Sequence, residues 1–342
     1  MADTPSSLLV PPTGASPIES RQIFAALRRP HLLLASGLLL LLAMIPVYAI
    51  VFDLPFSITF FSRVMIFALA ALSLALILGY GGLVSFGHAL YLGLGAYTVA
   101  IMSSYGITNG WVHLAVTIMV CIIVATLTGL ICLRTSGIGF IMITLAFAQM
   151  FFFLVVSLKM YGGDDGFPIQ ARSDFGLLDI ENHTVFYYVI FALLVASLYG
   201  ANRLVQSPFG RVLRGSKSNQ RRMLALGFPT LRYKLTAYVI SCVVCGIAGL
   251  LLANLTRFAS PEYMSWMRSG ELIVIIALGG INSLFGAVVG AVALLSFEEI
   301  LSGYTTHWMI ILGPLVVVVV LVAKQGLYGS LQQSSMWGDN KK

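Results

Sequence analysis

The sequence predicts an all-α, polytopic membrane protein with about ten transmembrane helices, glycine-broken segments, and one cytoplasmic loop long enough to hold short helices. Three observations predict it. The 342-residue chain is 58% hydrophobic and only 10% charged, with a mean hydropathy of +0.94. A soluble domain carries about 25% charged residues, so this chain has too few to cover a surface facing water. Apolar runs recur at the ~20-residue length that a bilayer-crossing helix needs. Many of the 33 glycines fall inside those runs, where small residues let helix backbones approach closely.

Residues 1–30 read as a disordered cytoplasmic tail ending in Arg28-Arg29-Pro30. The apolar run behind it is longer than a signal-peptide core and has no small-residue cleavage site, so it is expected to remain as the first span. A transmembrane domain then occupies 31–330, with a cytoplasmic loop at 206–232 inside it, and residues 331–342 form a cytoplasmic C-terminal tail. Spans are expected near 32–52, 57–78, 86–104, 111–133, 138–158, 184–204, 233–256, 266–281, 284–301 and 307–323. The third begins in a glycine-rich break, and the eighth carries Arg268 and Glu271 near its start.

Ten spans place Arg21, Arg28, Arg29, Arg134, the 206–232 loop, Lys324, Lys341 and Lys342 on one side, which the positive-inside rule makes the cytoplasm. Both termini are then cytoplasmic. The 159–183 loop falls outside, where Asp164, Asp165, Asp174, Asp179 and Glu181 outweigh Lys159 and Arg172. Its Gly162-Gly-Asp-Asp-Gly166 stretch lacks calcium-loop spacing and a closing glutamate. Asp164 and Asp165 are instead candidates for docking a soluble partner.

Composition and spacing exclude several function classes. The net charge is +7, but no basic segment lies outside a short loop, which argues against nucleic acid as a partner. Cys121, Cys132, Cys242 and Cys245 sit in or beside apolar runs and read as buried thiols. The five histidines never fall at metal-ligand spacing, so no metal or other cofactor is expected. Gly210-Arg-Val-Leu-Arg-Gly215-Ser-Lys217-Ser218 misses the phosphate-loop spacing and has no strand before it. The chain is therefore not expected to be an enzyme. If ATP is used, another chain binds it. An ion-gradient-driven transporter would need carboxylates at mid-span, and Glu271 comes nearest to that position.

Two features invite function. From Gly79 to Tyr97 the glycines are too dense for an uninterrupted helix, since each interior glycine costs ~1 kcal/mol relative to alanine. Freed backbone groups survive in a membrane only where protein or a water-filled cavity satisfies them. The stretch is either a tight cytoplasmic turn around a hydrogen-bonded His88 or a lining of the substrate pathway. Gly279-Gly-Ile-Asn-Ser-Leu-Phe-Gly286 echoes Gly81-Gly-Leu-Val-Ser-Phe-Gly87, through an internal repeat or through shared turn chemistry. Arg63 either snorkels or faces a cavity, and Arg268 can neutralise Glu271 three residues on.

The second feature is the elbow from Gln206 to Lys234, with seven Arg/Lys and no acid. Ser207-Pro208 ends the preceding span, and Ser207 can cap a new helix beyond it. Residues 209–226 suit one or two short helices, closed by Gly227 with Pro229 beyond it. A rigid basic helix of this kind fits the groove of a cytosolic motor. Attraction to anionic lipid headgroups, ~1 kcal/mol per Lys or Arg, explains the charge but not the Gly/Pro punctuation.

Several blocks together resemble one family. They are GYGGLVSFGHALYLGLGAY (79–97), TLAFAQ (144–149), GGDDG (162–166), SPFGRVLRGSKSNQRRMLALGFPTLRYKLTAYVIS (207–241), ALGGINSLFGAVVGA (277–291) and QGLYG (325–329). In order and spacing they are similar to the membrane permease of branched-chain amino-acid ABC importers, over about residues 60–330. The resemblance implies ABC ATPase subunits, a second related permease and a periplasmic substrate-binding protein as partners in the bacterial inner membrane. It implies branched-chain or other small amino acids as cargo, with urea, short amides or aromatic acids as the alternative. Ala225 and Gly227 match the Ala/Gly signature that docks such permeases on their ATPases, although Gln220, Arg221 and Arg222 replace the usual preceding acidic residue. The coupling candidates are Ser207, Gly210, Arg211, Arg214, Arg221, Arg222, Ala225 and Gly227. Those for the pathway are Tyr80, Gly82, Ser85, Gly87, His88, Tyr97, Thr144 and Gly280.

Overall fold

The structure is a computed structural model and describes residues 30–176, 180–305, 307–322 and 326–329. The expected tails, with Arg21, Arg28, Arg29, Lys341 and Lys342, lie outside the described residues, as do Asp179 and Lys324. The helices are α1 (Pro30–Val51), α2 (Pro55–Ala75, continued by a π-helical turn Leu76–Tyr80), α3 (Ala89–Ser104), α4 (Gly110–Cys132), α5 (Ile138–Ser157) and α6 (His183–Gln206). They continue as α7 (Pro208–Ser218), α8 (Gln220–Ala225), α9 (Thr230–Thr256), α10 (Trp266–Gly279), α11 (Leu284–Tyr304) and α12 (Trp308–Val322). Each expected span holds one helix, with ends agreeing to within a turn. Six of these helices are long and apolar enough to cross a membrane: α2 with its π turn, α4, α5, α6, α9 and α11.

Local chemistry sets the helix starts. Asn109, Asn182, Ser207, Asn219, Ser265 and Ser283 each accept a hydrogen bond from the first turn of the adjoining helix. Such side chains satisfy amides that have no intrahelical acceptor. Proline opens α2 and α7, where its missing N–H costs nothing.

The core is built around α9, which packs on α2, α3 and α4, while α2 also packs on α1, α6 and α11. Glycine allows this crowding. A Cβ on Gly95 of α3 would overlap the Gly246 carbonyl of α9, and one on Gly249 would overlap the Leu92 carbonyl of α3. Gly246 also abuts the Cys121 sulfur of α4, and Gly290 of α11 lies against the Ile275 carbonyl of α10.

Two stretches, 81–88 and 257–265, interrupt the helical bundle. Each comes after a long helix and leads into a short one, α3 or α10. The two short helices start beside each other, where the Ala89 amide donates to Ser269 Oγ at 3.0 Å. They then run in opposite directions. α3 ends beside the two-stranded ribbon in which Phe167–Pro168 pairs antiparallel with Phe258–Ala259; there Tyr105 and Tyr161 join hydroxyls at 2.8 Å. α10 ends beside the α7–α8 elbow, where Tyr80 Oη donates to the Asn282 carbonyl at 3.2 Å.

The order long helix, broken stretch, short helix and two further helices thus occurs twice, as α2–α5 and as α9–α12. α2 ends at the elbow and α9 begins there, so the halves run in opposite senses. The echo between Gly81–Gly87 and Gly279–Gly286 does not match this repeat, because the counterpart of 81–88 is 257–265. Shared turn chemistry accounts for the echo. Gly82 and Gly280 both take positive φ, +68° and +121°, which glycine alone adopts cheaply.

Gly95→Leu should force α3 away from α9, lowering the thermal midpoint of the purified protein by an amount worth about 1–3 kcal/mol. Gly303→Ala, at a position with open space around it, should leave the same melting curve unchanged.

Candidate functional site

The glycine-rich stretch does not form a simple turn at the elbow. Only its first residues lie there, and residues 85–88 run inward to meet the middle of α9 and the second turn of α5. The Phe86 amide donates to Thr144 Oγ1 at 3.3 Å, and the Gly87 amide donates to Ser85 Oγ at 3.3 Å. A Cβ on Gly87 would overlap the Thr144 carbonyl, so only glycine fits there. Ser85, Gly87, His88 and Thr144 therefore converge on one buried node.

His88 is fully buried. Its Nε2 lies 2.8 Å from Ser73 Oγ and 3.4 Å from Ser241 Oγ. Ser73 donates its own proton to the Ala70 carbonyl, and Ser241 donates to the Ser73 carbonyl. With both hydroxyl protons committed, the hydrogen bonds assign Nε2 as the donor. Nδ1 is left as an acceptor with no partner among the described residues. A cavity of about 290 Å³ between α2, α6 and α9 reaches Ser73 and Ser241 from the other side.

Tyr80, Gly82 and Gly280 lie apart from this node, at the elbow end. Tyr80 and Asn282 line a cavity of about 450 Å³. Lys217 of α7 lies against Gly82 and donates to the Gly79 carbonyl at 2.6 Å, tying the elbow to the end of α2. Tyr97 lies on the ribbon side, its buried hydroxyl without a partner among the described residues. It borders an almost wholly apolar cavity of about 300 Å³ with Leu94, Val116, Phe151, Leu154 and Met264.

The elbow folds as two helices. Ser207 Oγ accepts from the Gly210 amide at 3.4 Å, and a Cβ on Gly210 would overlap the backbone of Val205. Asn219 Oδ1 caps α8 through the Arg222 amide at 3.0 Å. At the other end Gly227, with φ +86°, donates to the Leu224 carbonyl while the Phe228 amide donates to that of Met223. This is a Schellman closure. Val212, Leu213 and Ser216 of α7 are buried, whereas Arg211, Arg214, Arg221, Arg222 and Ala225 are exposed. Leu224, Leu226 and Phe228 are exposed beside them, leaving a rigid knob with a mixed apolar and basic surface.

At the ribbon end Asp164 and Asp165 stand exposed in a turn made by Gly162, Gly163 and Gly166, all at positive φ. Buried Arg172 fastens the segment by donating to the carbonyls of Asn254, Ile180 and Glu181. Burial lowers its pKa, the nearby Arg257 adds to this, and Glu181 opposes it. Arg268 pairs with Glu271 at 2.8 Å and with Glu262 at 3.0 Å.

Sequence reading missed Ser73, Ser241, Ser269 and Lys217 as partners of the broken backbone. The available signal was a lone hydroxyl within an apolar run, as at Ser73 and Ser241. Among the described residues no three His, Cys, Asp or Glu side chains gather where they could hold a metal ion. Hydroxyls and one imidazole along interrupted helices suit the passage of a polar solute.

A family model described as the permease component of the branched-chain amino acid transport system matches residues 56–323. The chain belongs to this family. It is 29% identical over 295 residues to the high-affinity branched-chain amino acid transport system permease protein LivM of Salmonella typhimurium, covering 79% of this chain and 69% of the relative. It is likewise 29% identical to LivM of Escherichia coli K12, over 77% of this chain and 68% of that protein. With LivH of E. coli K12, described as another permease protein of such a system, identity is 24% over 77% of this chain and 91% of LivH. No solved structure matches. The chain is thus a multi-pass permease component of a transport system.

In this permease Ser269→Ala leaves the Ala89 amide without an acceptor, and should lower the thermal unfolding midpoint by an amount worth about 1–3 kcal/mol. Ser269→Thr, which keeps the hydroxyl, should recover most of the loss in the same melt.

Proposed function

We propose that this permease is one subunit of an ATP-binding-cassette importer in a bacterial inner membrane, with the elbow and both termini in the cytoplasm. It pairs with a second, related permease, receives cargo from a periplasmic binding protein at the ribbon end, and is driven by two ABC ATPase subunits gripping the elbow. ATP hydrolysis takes place on those partners. The cargo is a branched-chain or similar small amino acid. The relatives support this reading, since their descriptions name branched-chain amino acid transport and two distinct permease proteins.

The observation that carries the mechanism is the elbow itself. Its two helices are fixed by caps at both ends and pinned to α2 through Lys217 and the Gly79 carbonyl. Exposed Leu224, Leu226 and Phe228 give a partner an apolar hold, and Arg221 and Arg222 give it charge complementarity. Movement of the knob would pass through Lys217 into α2, and from Ser73 and Ser241 into the His88 node. The half-helices α3 and α10, meeting at mid-depth, then line a pathway exposed first to one side and later to the other. The exposed Asp164 and Asp165 meet the binding protein in this reading. Lipid contacts the exposed apolar faces of α4, α5 and α6.

Arg221→Glu combined with Arg222→Glu should reduce amino-acid uptake and transport-stimulated ATP hydrolysis by tenfold or more, about 1.4 kcal/mol or greater in coupling. The protein should still reach the membrane in normal amount, checked by quantitative immunoblotting. Normal uptake in that double variant would count against the elbow as the docking element.

A further inference from the structure

α2, α10, α11 and α12 border a charged cavity of about 430 Å³ near the ribbon end, open along the exposed Met267 and Met309. This is within the ~300–1,000 Å³ of small-molecule sites. Its charges are Arg63 on α2, Arg268 and Glu271 on α10, Glu298 on α11, and Glu262 from the broken stretch before α10. Arg63 and Glu298 lie about two helical turns in from the ribbon-end termini of their helices, at a depth where an unpaired charge is costly.

The five charges are not equally paired. Arg268 is held by Glu271 at 2.8 Å and by Glu262 at 3.0 Å, a closed triad that keeps one net negative charge. Arg63 and Glu298 are within electrostatic reach of each other, yet among the described residues neither makes a direct ion pair. Arg63 rests instead over the Phe67 ring, 5.8 Å from its centroid. A cation and an anion thus face one cavity without closing on each other. The remaining walls include Leu294, Met309 and Leu312, which are aliphatic.

We infer that this cavity binds a zwitterionic α-amino acid, its carboxylate on Arg63, its ammonium on Glu298 and its side chain against Leu294, Met309 and Leu312. The inference rests on the amino-acid reading of the cargo and locates where the permease first holds it. Two arginines and three glutamates leave the cavity one net negative charge, which repels a lone anion, while a lone cation would leave Arg63 without a counter-charge. Only a molecule carrying both charges on one end satisfies the open pair, and a guanidinium grips a carboxylate with two parallel hydrogen bonds. The zwitterionic headgroup of phosphatidylethanolamine offers related chemistry, and the test separates the two sources.

The test uses the complete importer in proteoliposomes with Met309→Cys, since Cys121, Cys132, Cys242 and Cys245 are buried and shielded from a charged thiol reagent. L-Leucine, without binding protein, should slow modification of the introduced thiol severalfold. 4-Methylpentanoate, lacking the ammonium, and isoamylamine, lacking the carboxylate, should not. Adding Arg63→Gln or Glu298→Gln should weaken protection by leucine about tenfold or more, while partner subunits still co-purify. No protection by leucine, equal protection by all three compounds, or protection surviving in both variants would overturn the inference. Protection present without leucine, and lost when phosphatidylethanolamine is replaced by phosphatidylglycerol, would assign the cavity to lipid and also overturn it. If the Met309→Cys importer, supplied with its binding protein, takes up leucine yet shows no protection, this site alone is refuted. An importer that takes up no leucine refutes the cargo reading on which it rests.

Discussion

The structure depends on satisfying backbone polar groups where helices are interrupted at membrane depth. An unpaired N–H or C=O in hydrocarbon costs several kcal/mol, and this chain breaks its helices twice, at 81–88 and at 257–265. Each break is repaired from a distance. Thr144 of α5 takes the Phe86 amide, Ser269 of α10 takes the Ala89 amide, and Lys217 of α7 covers the Gly79 carbonyl. In the second half the ribbon pairing with Phe167–Pro168 does the same from a distance, while the Ser260 and Ser265 hydroxyls cap the Glu262 and Arg268 amides locally. The first break therefore holds together elements far apart in sequence, and the two halves cannot separate without orphaning the Ala89 amide.

Glycine makes this geometry possible and also makes it directional. Gly95, Gly246 and Gly249 bring α3 and α9 to backbone contact, so α9 bears directly on the start of the half-helix. Ser241 of α9 and Ser73 of α2 both address His88, while the far end of α2 is held by the elbow through Lys217. A displacement of α7 has a continuous packed and hydrogen-bonded route to the node. The route runs through direct backbone packing and hydrogen bonds, which transmit displacement where side chains are close-packed.

Much of this was legible in the sequence. Apolar runs gave the helices, and the elbow's Ser207, Gly227 and Pro229 gave its internal ends, because spans and caps are local signals. Tertiary arrangement was less legible. Nothing near His88 in sequence announces Ser73 or Ser241, which are placed by the packing of three helices. The start of α3 was set three residues early because apolarity continues through the break, while the partners that permit the break lie on α5 and α10. The glycine echo was a local resemblance between turns. The real repeat pairs segments as dissimilar as Gly81–His88 and Arg257–Ser265, since what repeats is the order of elements and not the residues.

The placement of charge fits the proposed reliance on an external source of energy. A carrier driven by an ion gradient commonly places a carboxylate on the path near mid-depth. Among the described residues the mid-depth node holds Ser73, Ser85, His88, Thr144, Ser241 and Ser269, with no carboxylate. Glu271 and Glu298 belong to the ribbon-end cavity, and Glu271 is already joined to Arg268. The charged cavity thus lies at one end and the exposed basic elbow at the other, with a hydroxyl-rich node free of carboxylates between them. In the proposed importer, work against a concentration gradient would arrive as movement of the elbow.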